Sequence, residues 1–150
     1  MDIKIELWNG KNFEEILYFY RDTKYGAIDD VRRDDRIFLA KDRHQIIGIV
    51  RLCEEEGIVI LRGMRVRENH QKQGIGMRLL ELLSEEIGER ECFCIPYDYP
   101  HLEKLYGRFG FQRISDEEAP AYLQERAKKY RARPNRPNYF IMKRPSGVSC

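Results

Sequence analysis

Between residues 58 and 87 the chain changes its hydrophobic period, and that change constrains the fold more than any other feature. Ile58–Val66 is an apolar run of strand length. From Ile75 to Ile87, Ile75, Leu79, Leu80, Leu82, Leu83 and Ile87 form a helical stripe, and Gly88 sits where a C-cap glycine belongs. The polar segment Arg67-Glu68-Asn69-His70-Gln71-Lys72-Gln73-Gly74 joins the two. The first turn of a helix carries unpaired N–H groups and a positive dipole end, so a loop placed there attracts a phosphate. Gly74 and Gly76 let the backbone approach an anion where a Cβ would obstruct it, and Lys72 and Arg78 bring charge nearby.

The flanking sequence reads in the same terms. Residues 1–6 alternate like a strand, and Asn12 with Glu15 three places on resembles a capping box. The helix it opens carries Phe13, Ile16, Leu17 and Tyr20 on one face. Residues 37–40 and 45–52 read as strands joined by a polar turn, and residues 53–57 as a second turn. With Ile58–Val66 these make an antiparallel meander. Further on, 91–95 reads as a strand, 100–109 as a helix stopped by Gly110, 111–114 as a strand, 120–131 as a helix and 139–143 as the last strand. The order β-α-β-β-β-α-β-α-β-α-β implies an α/β sandwich of mixed sheet and covering helices. At 150 residues the chain fits one domain, expected over 1–145 with a frayed tail at 146–150.

Composition narrows the setting. With 42% hydrophobic and 35% charged residues the chain reads as a soluble globular protein. No apolar run approaches the roughly 18 residues of a membrane span, and the N-terminus lacks the order of a signal peptide, so the expected location is cytoplasmic, with no membrane partner. The four cysteines lack the paired spacing of a zinc site, and no metal is expected. Net charge is +2, but Arg126, Lys128, Lys129, Arg131, Arg133, Arg136, Lys143 and Arg144 form a stretch without an acid. Such a stretch can track phosphates, yet it lacks the interleaved exposed aromatics of a nucleic-acid motif and reads first as a solvated face.

Gln71-Lys72-Gln73-Gly74-Ile75-Gly76 matches every defined position of Gln/Arg-x-x-Gly-x-Gly/Ala, and the hydrophobic Val66 stands five places before the Gln. In this the chain resembles the GNAT (GCN5-related N-acetyltransferase) superfamily. The resemblance implies a GNAT-like α/β fold, a single domain whose mixed, mostly antiparallel central sheet is flanked by helices. It also implies acetyl-CoA as co-substrate, its pyrophosphate held by backbone amides of Gln71, Lys72, Gln73, Gly74, Ile75, Gly76 and Met77. It further implies that backbone groups of Met64 and Val66 bind the pantetheine arm like a substitute strand. Leu105-Tyr106-Gly107-Arg108-Phe109-Gly110-Phe111 resembles the later signature, a tyrosine followed by x-x-x-Gly-Phe, which implies Tyr106 as general acid toward the departing thiolate.

The implied activity is acetyl transfer to a primary amine of a small molecule or peptide, in a ternary complex. A homodimer is an expectation from the family alone. The chain departs from the family pattern in two places and leaves several roles unassigned. Residues 115–138 separate the last two strands, which a short loop joins in common members. Ile58–Val66 holds no glutamate where many relatives keep one, leaving Glu54, Glu55, Glu56, Asp98 and His70 as unassigned candidates for the base. Cys94 offers a covalent route only from within an apolar strand. Tyr97, Tyr99, Tyr106, Tyr122 and Tyr139 either line the acceptor site or pack, and Arg62 or Arg65 is a candidate for an acceptor carboxylate. The alternative to an enzyme is a non-catalytic acyl-CoA-binding sensor or accessory module.

Overall fold

The computed structural model describes residues 2–134 and 137–148. Arg136 of the basic stretch, and Ser149 and Cys150 of the expected tail, lie outside the described residues. Among the described residues eleven helices and strands follow in the expected order, short 3-10 turns aside. They are β1 (Ile3–Leu7), α1 (Phe13–Asp22), β2 (Arg36–Asp42), β3 (Gln45–Glu55), β4 (Ile58–Val66), α2 (Ile75–Ile87), β5 (Cys92–Cys94), α3 (Pro100–Gly107), β6 (Gln112–Ile114), α4 (Ala121–Arg131) and β7 (Ile141–Arg144). The strands form one mixed, mostly antiparallel sheet in the order β1-β2-β3-β4-β5-β7-β6. The pairs β1–β2, β2–β3, β5–β7 and β6–β7 are antiparallel.

Two turns are tighter than the sequence suggests. Arg43, at φ 60°, helps close a two-residue turn, so the β2–β3 ladder continues to the Asp42–Gln45 pair. Glu56 and Gly57, at φ 53° and 74°, are both left-handed, as the tightest hairpin turns require. Residues 53–55 are therefore strand rather than turn. The expected capping box at Asn12 does not form. An N-cap acceptor needs extended backbone, whereas Asn12 is left-handed (φ 61°) and its side chain makes no cap bond. An Asx turn precedes the helix instead: Asn9 Oδ1 accepts from the Lys11 amide at 2.9 Å. A capping box does form at Ser115, which shares hydrogen bonds with Glu118 in the pattern Ser-x-x-Glu.

The chain makes two compact units, Met1–Cys53 with Leu61–Glu86, and Glu54–Ile60 with Ile87–Cys150. In the first, Ile16, Phe19 and Tyr20 of α1 pack with Val31, Ile37, Leu39, Ile46 and Ile49. Helix α2 buries Ile75, Leu79, Leu80 and Leu83. Gly48 on β3 makes room for it, since a Cβ there would lie 3.2 Å from Leu79 Cδ1 and 3.4 Å from Ile75 Cγ2. The helical stripe of the sequence thus becomes a seat that positions the loop before α2.

In the second unit Ile60, Phe93, Leu123, Ala127 and Ile141 form the core, with Ala119 beside them. The fully buried Arg144 donates to the carbonyls of Gly88 and Phe109, each at 2.8 Å, at the ends of α2 and α3. Much of the basic stretch is spent internally. Arg131 forms a two-pronged pair with Asp116, and Lys143 pairs with Glu91 at 3.2 Å. Arg126 and Arg133 lie over the Tyr130 ring, at 5.6 and 4.8 Å. No described helix is long and apolar enough to cross a membrane.

Candidate functional site

The loop from Val66 to Ile75 is fixed at its base and open at its tip. The Arg67 amide donates to the Ile47 carbonyl (2.8 Å), and its guanidinium reaches the Ile46 carbonyl (3.0 Å) and Asp22 (2.5 Å). His70 lies 3.4 Å from Asp42 and 2.9 Å from the Asn69 side chain. The Gln71 carboxamide folds back to donate to the Val66 carbonyl at 3.0 Å. Gln71, Lys72, Gln73 and Gly74 are exposed, whereas Ile75 is buried and anchors the helix start. Lys72 (φ 64°) and Gly74 (φ 76°) are both left-handed and bend the chain sharply into α2.

The Gly74 carbonyl accepts from the Arg78 amide at 3.1 Å, the first bond of the helix. Ile75 and Gly76 therefore stand in the turn whose amides an α-helix leaves without intrahelical partners. A Cβ on Gly74 would meet nothing within 4 Å, and one on Gly76 would lie 3.8 Å from Met64 Cε. The fold thus brings Met64, Val66 and residues 71–77 into one cluster within the first unit. Backbone donors, open space and a helix dipole at one exposed place suit a phosphate group.

Immediately before Met64, Gly63 of strand β4 takes the left-handed φ of 65°. The fully buried Tyr20 donates its hydroxyl to the Gly63 carbonyl at 2.7 Å. Arg51, also fully buried, donates from Nε to the Tyr20 oxygen (3.3 Å) and from its other nitrogens to Asp35 and the Tyr25 hydroxyl (both 2.9 Å). Burial pushes the Tyr20 phenol far above its ordinary range despite Arg51, keeping it a donor. Sequence reading passed over this cluster, although a glycine inside an apolar strand is a signal for a bulge. A Cβ at position 63 would lie 2.5 Å from the Tyr20 oxygen. Gly63→Ala is expected to destabilise the protein by about 3 kcal/mol, from left-handed strain plus overpacking. Adding Tyr20→Phe should return about 1 kcal/mol of that loss in chemical denaturation, since the two sites touch.

Tyr106 belongs to the second unit, on α3, and is 5% exposed. Its carbonyl accepts from the amides of Phe109 (3.0 Å) and Phe111 (3.3 Å), Gly110 turns the chain at φ 92°, and the Phe111 ring meets the Tyr106 ring edge-on at 6.0 Å. The spacing Tyr-x-x-x-Gly-Phe is therefore a helix ending that clamps the tyrosine.

Several of the other candidates are engaged. Asp98 accepts two bonds from Arg113, Glu54 pairs with Arg90, and Glu55 accepts a short bond from the Tyr122 hydroxyl. Arg65 donates to the Thr23 carbonyl at 2.7 Å, and Arg62 stands 3.8 Å from Asp30. Burial, then Cys92, pushes the Cys94 thiol well above its ordinary value, which opposes a thiolate route. Tyr97, Tyr130 and Tyr139 pack ring to ring at 4.9 and 5.3 Å about Tyr139, with Tyr99 6.0 Å from Tyr97.

Comparison with known proteins gives this arrangement a lineage. No curated protein matches the sequence. Solved structures share the fold at low identity. An acetyltransferase described as histone acetyltransferase HPA2 and related, from Corynebacterium glutamicum, superposes with TM-score 0.73 at 12% identity, over 99% of this chain and 98% of that one. The ribosomal-protein-S18-alanine N-acetyltransferase of Escherichia coli gives 0.68 at 14%, over 99% and 97%. The PaiA N-acetyltransferase of Thermoplasma acidophilum, solved in complex with coenzyme A, gives 0.64 at 13%, over 97% and 99%. Residues 33–113 match the family model described as acetyltransferase (GNAT) domain, a span that holds both the 71–76 loop and the Tyr106 helix ending. With more than half of its 150 residues inside that match, the chain belongs to the GNAT family of acetyltransferases.

Proposed function

We propose that this protein transfers the acetyl group of acetyl-CoA to a primary amine of a small molecule or peptide, directly and in a ternary complex. The observation that carries the reading is the exposed, doubly left-handed loop 71–74 at the start of α2, beside Met64 and Val66. Family membership supports it, as does the coenzyme A complex of the PaiA enzyme with the same fold. In this reading the amides of Gln71 to Met77 hold the pyrophosphate, and the backbone of Met64 and Val66 holds the pantetheine arm.

The neutral amine attacks the thioester carbonyl, forming the C–N bond, while a backbone N–H near Val66 stabilises charge on the oxygen. The C–S bond then breaks and Tyr106 gives its proton to the leaving sulfur. A phenol near pKa 10 donates to a thiolate whose acid is near 8.5 only where the site favours it. A base takes the surplus proton of the amine. Proximity of the two bound reactants supplies much of the rate.

A non-catalytic acyl-CoA-binding module is the second reading. It is favoured by a β4 without glutamate and by the engagement of Glu54, Glu55 and Asp98 with Arg90, Tyr122 and Arg113. Calorimetric titration of acetyl-CoA, followed by free-thiol release over amines, polyamines, amino acids and peptide N-termini, separates the two. Amine-dependent thiol release supports the enzyme, binding without release supports the module, and no binding overturns both.

A further inference from the structure

We infer that Tyr20 is a positioning residue for acetyl-CoA, its hydroxyl holding the left-handed Gly63 of β4 so that the backbone of Met64 to Val66 is presented to the pantetheine arm. The inference rests on the function proposed above and adds to it a device outside both motifs.

Three alternate residues of this stretch are tied to the end of α1. Gly63 accepts from Tyr20 at 2.7 Å, Arg65 donates to the Thr23 carbonyl at 2.7 Å, and Arg67 reaches Asp22 at 2.5 Å. Between these ties in sequence stand Met64 and Val66, the residues assigned to the pantetheine arm.

The first tie is the most rigid. Tyr20 and Arg51 are both fully buried, and they fill the place where a side chain at position 63 would stand: a Cβ there would lie 2.5 Å from the Tyr20 oxygen and 3.0 Å from Arg51 Nε. Arg51 in turn is held by Asp35, the Tyr25 hydroxyl and the Asp30 carbonyl. The Tyr20 and Tyr25 rings pack at 4.4 Å, and the Tyr25 amide donates to the Tyr20 carbonyl at 2.8 Å. The hydroxyl of Tyr20 is therefore a fixed donor aimed at one carbonyl of β4, one residue before Met64.

Tyr20→Phe removes that donor and keeps the ring. Ile37→Val trims the same core cluster away from the loop and serves as the control for stability alone. Amide hydrogen exchange by NMR on the cofactor-free proteins, and acetyl-CoA affinity by calorimetry, are the two readouts. Relative to the control, Tyr20→Phe is expected to speed exchange at Met64 to Val66 about tenfold and to weaken acetyl-CoA about tenfold. Unchanged exchange at these amides overturns the inference, and so does unchanged affinity despite faster exchange. A wild type that binds no acetyl-CoA overturns the proposed function itself, and that result is in hand before any variant is compared.

Discussion

Tyr106→Phe is expected to lower kcat about a thousandfold while leaving acetyl-CoA affinity within about twofold, because a general acid acts in the transition state and contributes 10²–10⁴ in rate. The substitution deletes one oxygen. The ring contact with Phe111 and the bonds from the Phe109 and Phe111 amides to the Tyr106 carbonyl do not involve that oxygen, so the helix ending survives. Two measurements check this: steady-state free-thiol release at saturating amine, and calorimetric affinity for acetyl-CoA. A variant that keeps wild-type kcat removes Tyr106 from the chemistry. A variant that loses affinity in step with kcat makes it a packing residue. A stronger test uses acyl donors with more acidic thiols, whose departure needs less protonation. They should recover part of the rate in the variant and change the wild type little.

Gly74→Glu is expected to weaken acetyl-CoA binding by about a thousandfold or more. Two effects act together. Two unit charges about 4 Å apart near a protein surface repel by about 4 kcal/mol, and the side chain fills the space through which the backbone meets the anion. The fold should tolerate the change, since a Cβ at position 74 meets nothing within 4 Å and only the left-handed backbone (φ 76°) resists it. That strain costs about 1–2 kcal/mol. Gly74→Ala isolates the strain. It should show the same loss of thermal stability as Gly74→Glu but a far smaller loss of affinity. Equal losses of affinity in the two variants would move the cause from charge to backbone shape. Wild-type affinity in Gly74→Glu would take the pyrophosphate away from this loop.

Much of the architecture was legible because period and punctuation agree along the chain. The β4 and α2 limits, Ile58–Val66 and Ile75–Ile87, follow from an apolar run and a helical stripe, with Gly88 in the left-handed region at the helix end. Turn chemistry was less legible. Arg43 and Glu56 are left-handed without being glycine, so the hairpins tightened where composition alone suggested longer loops. Asn12 went the other way: a residue type suited to capping took a backbone conformation that prevents it.

The candidate site divides along the same line. Local sequence by itself determined the 71–74 loop and the helix ending at Tyr106, because each is a short segment whose glycines, helix end and aromatic partner are neighbours in the chain. Tertiary structure alone decided the support behind them. Tyr20, Arg51 and Gly63 lie 31 and 43 residues from one another along the two ties, and nothing in their local patterns pairs them. A buried guanidinium and a buried phenol reach their partners only after α1, β3 and β4 have packed, when the cost of leaving either unpaired in a dry interior selects the one arrangement that satisfies both. The same holds for the basic stretch. Its charges read as free along the chain, and packing gave Arg131 to Asp116, Lys143 to Glu91 and Arg144 to two helix ends.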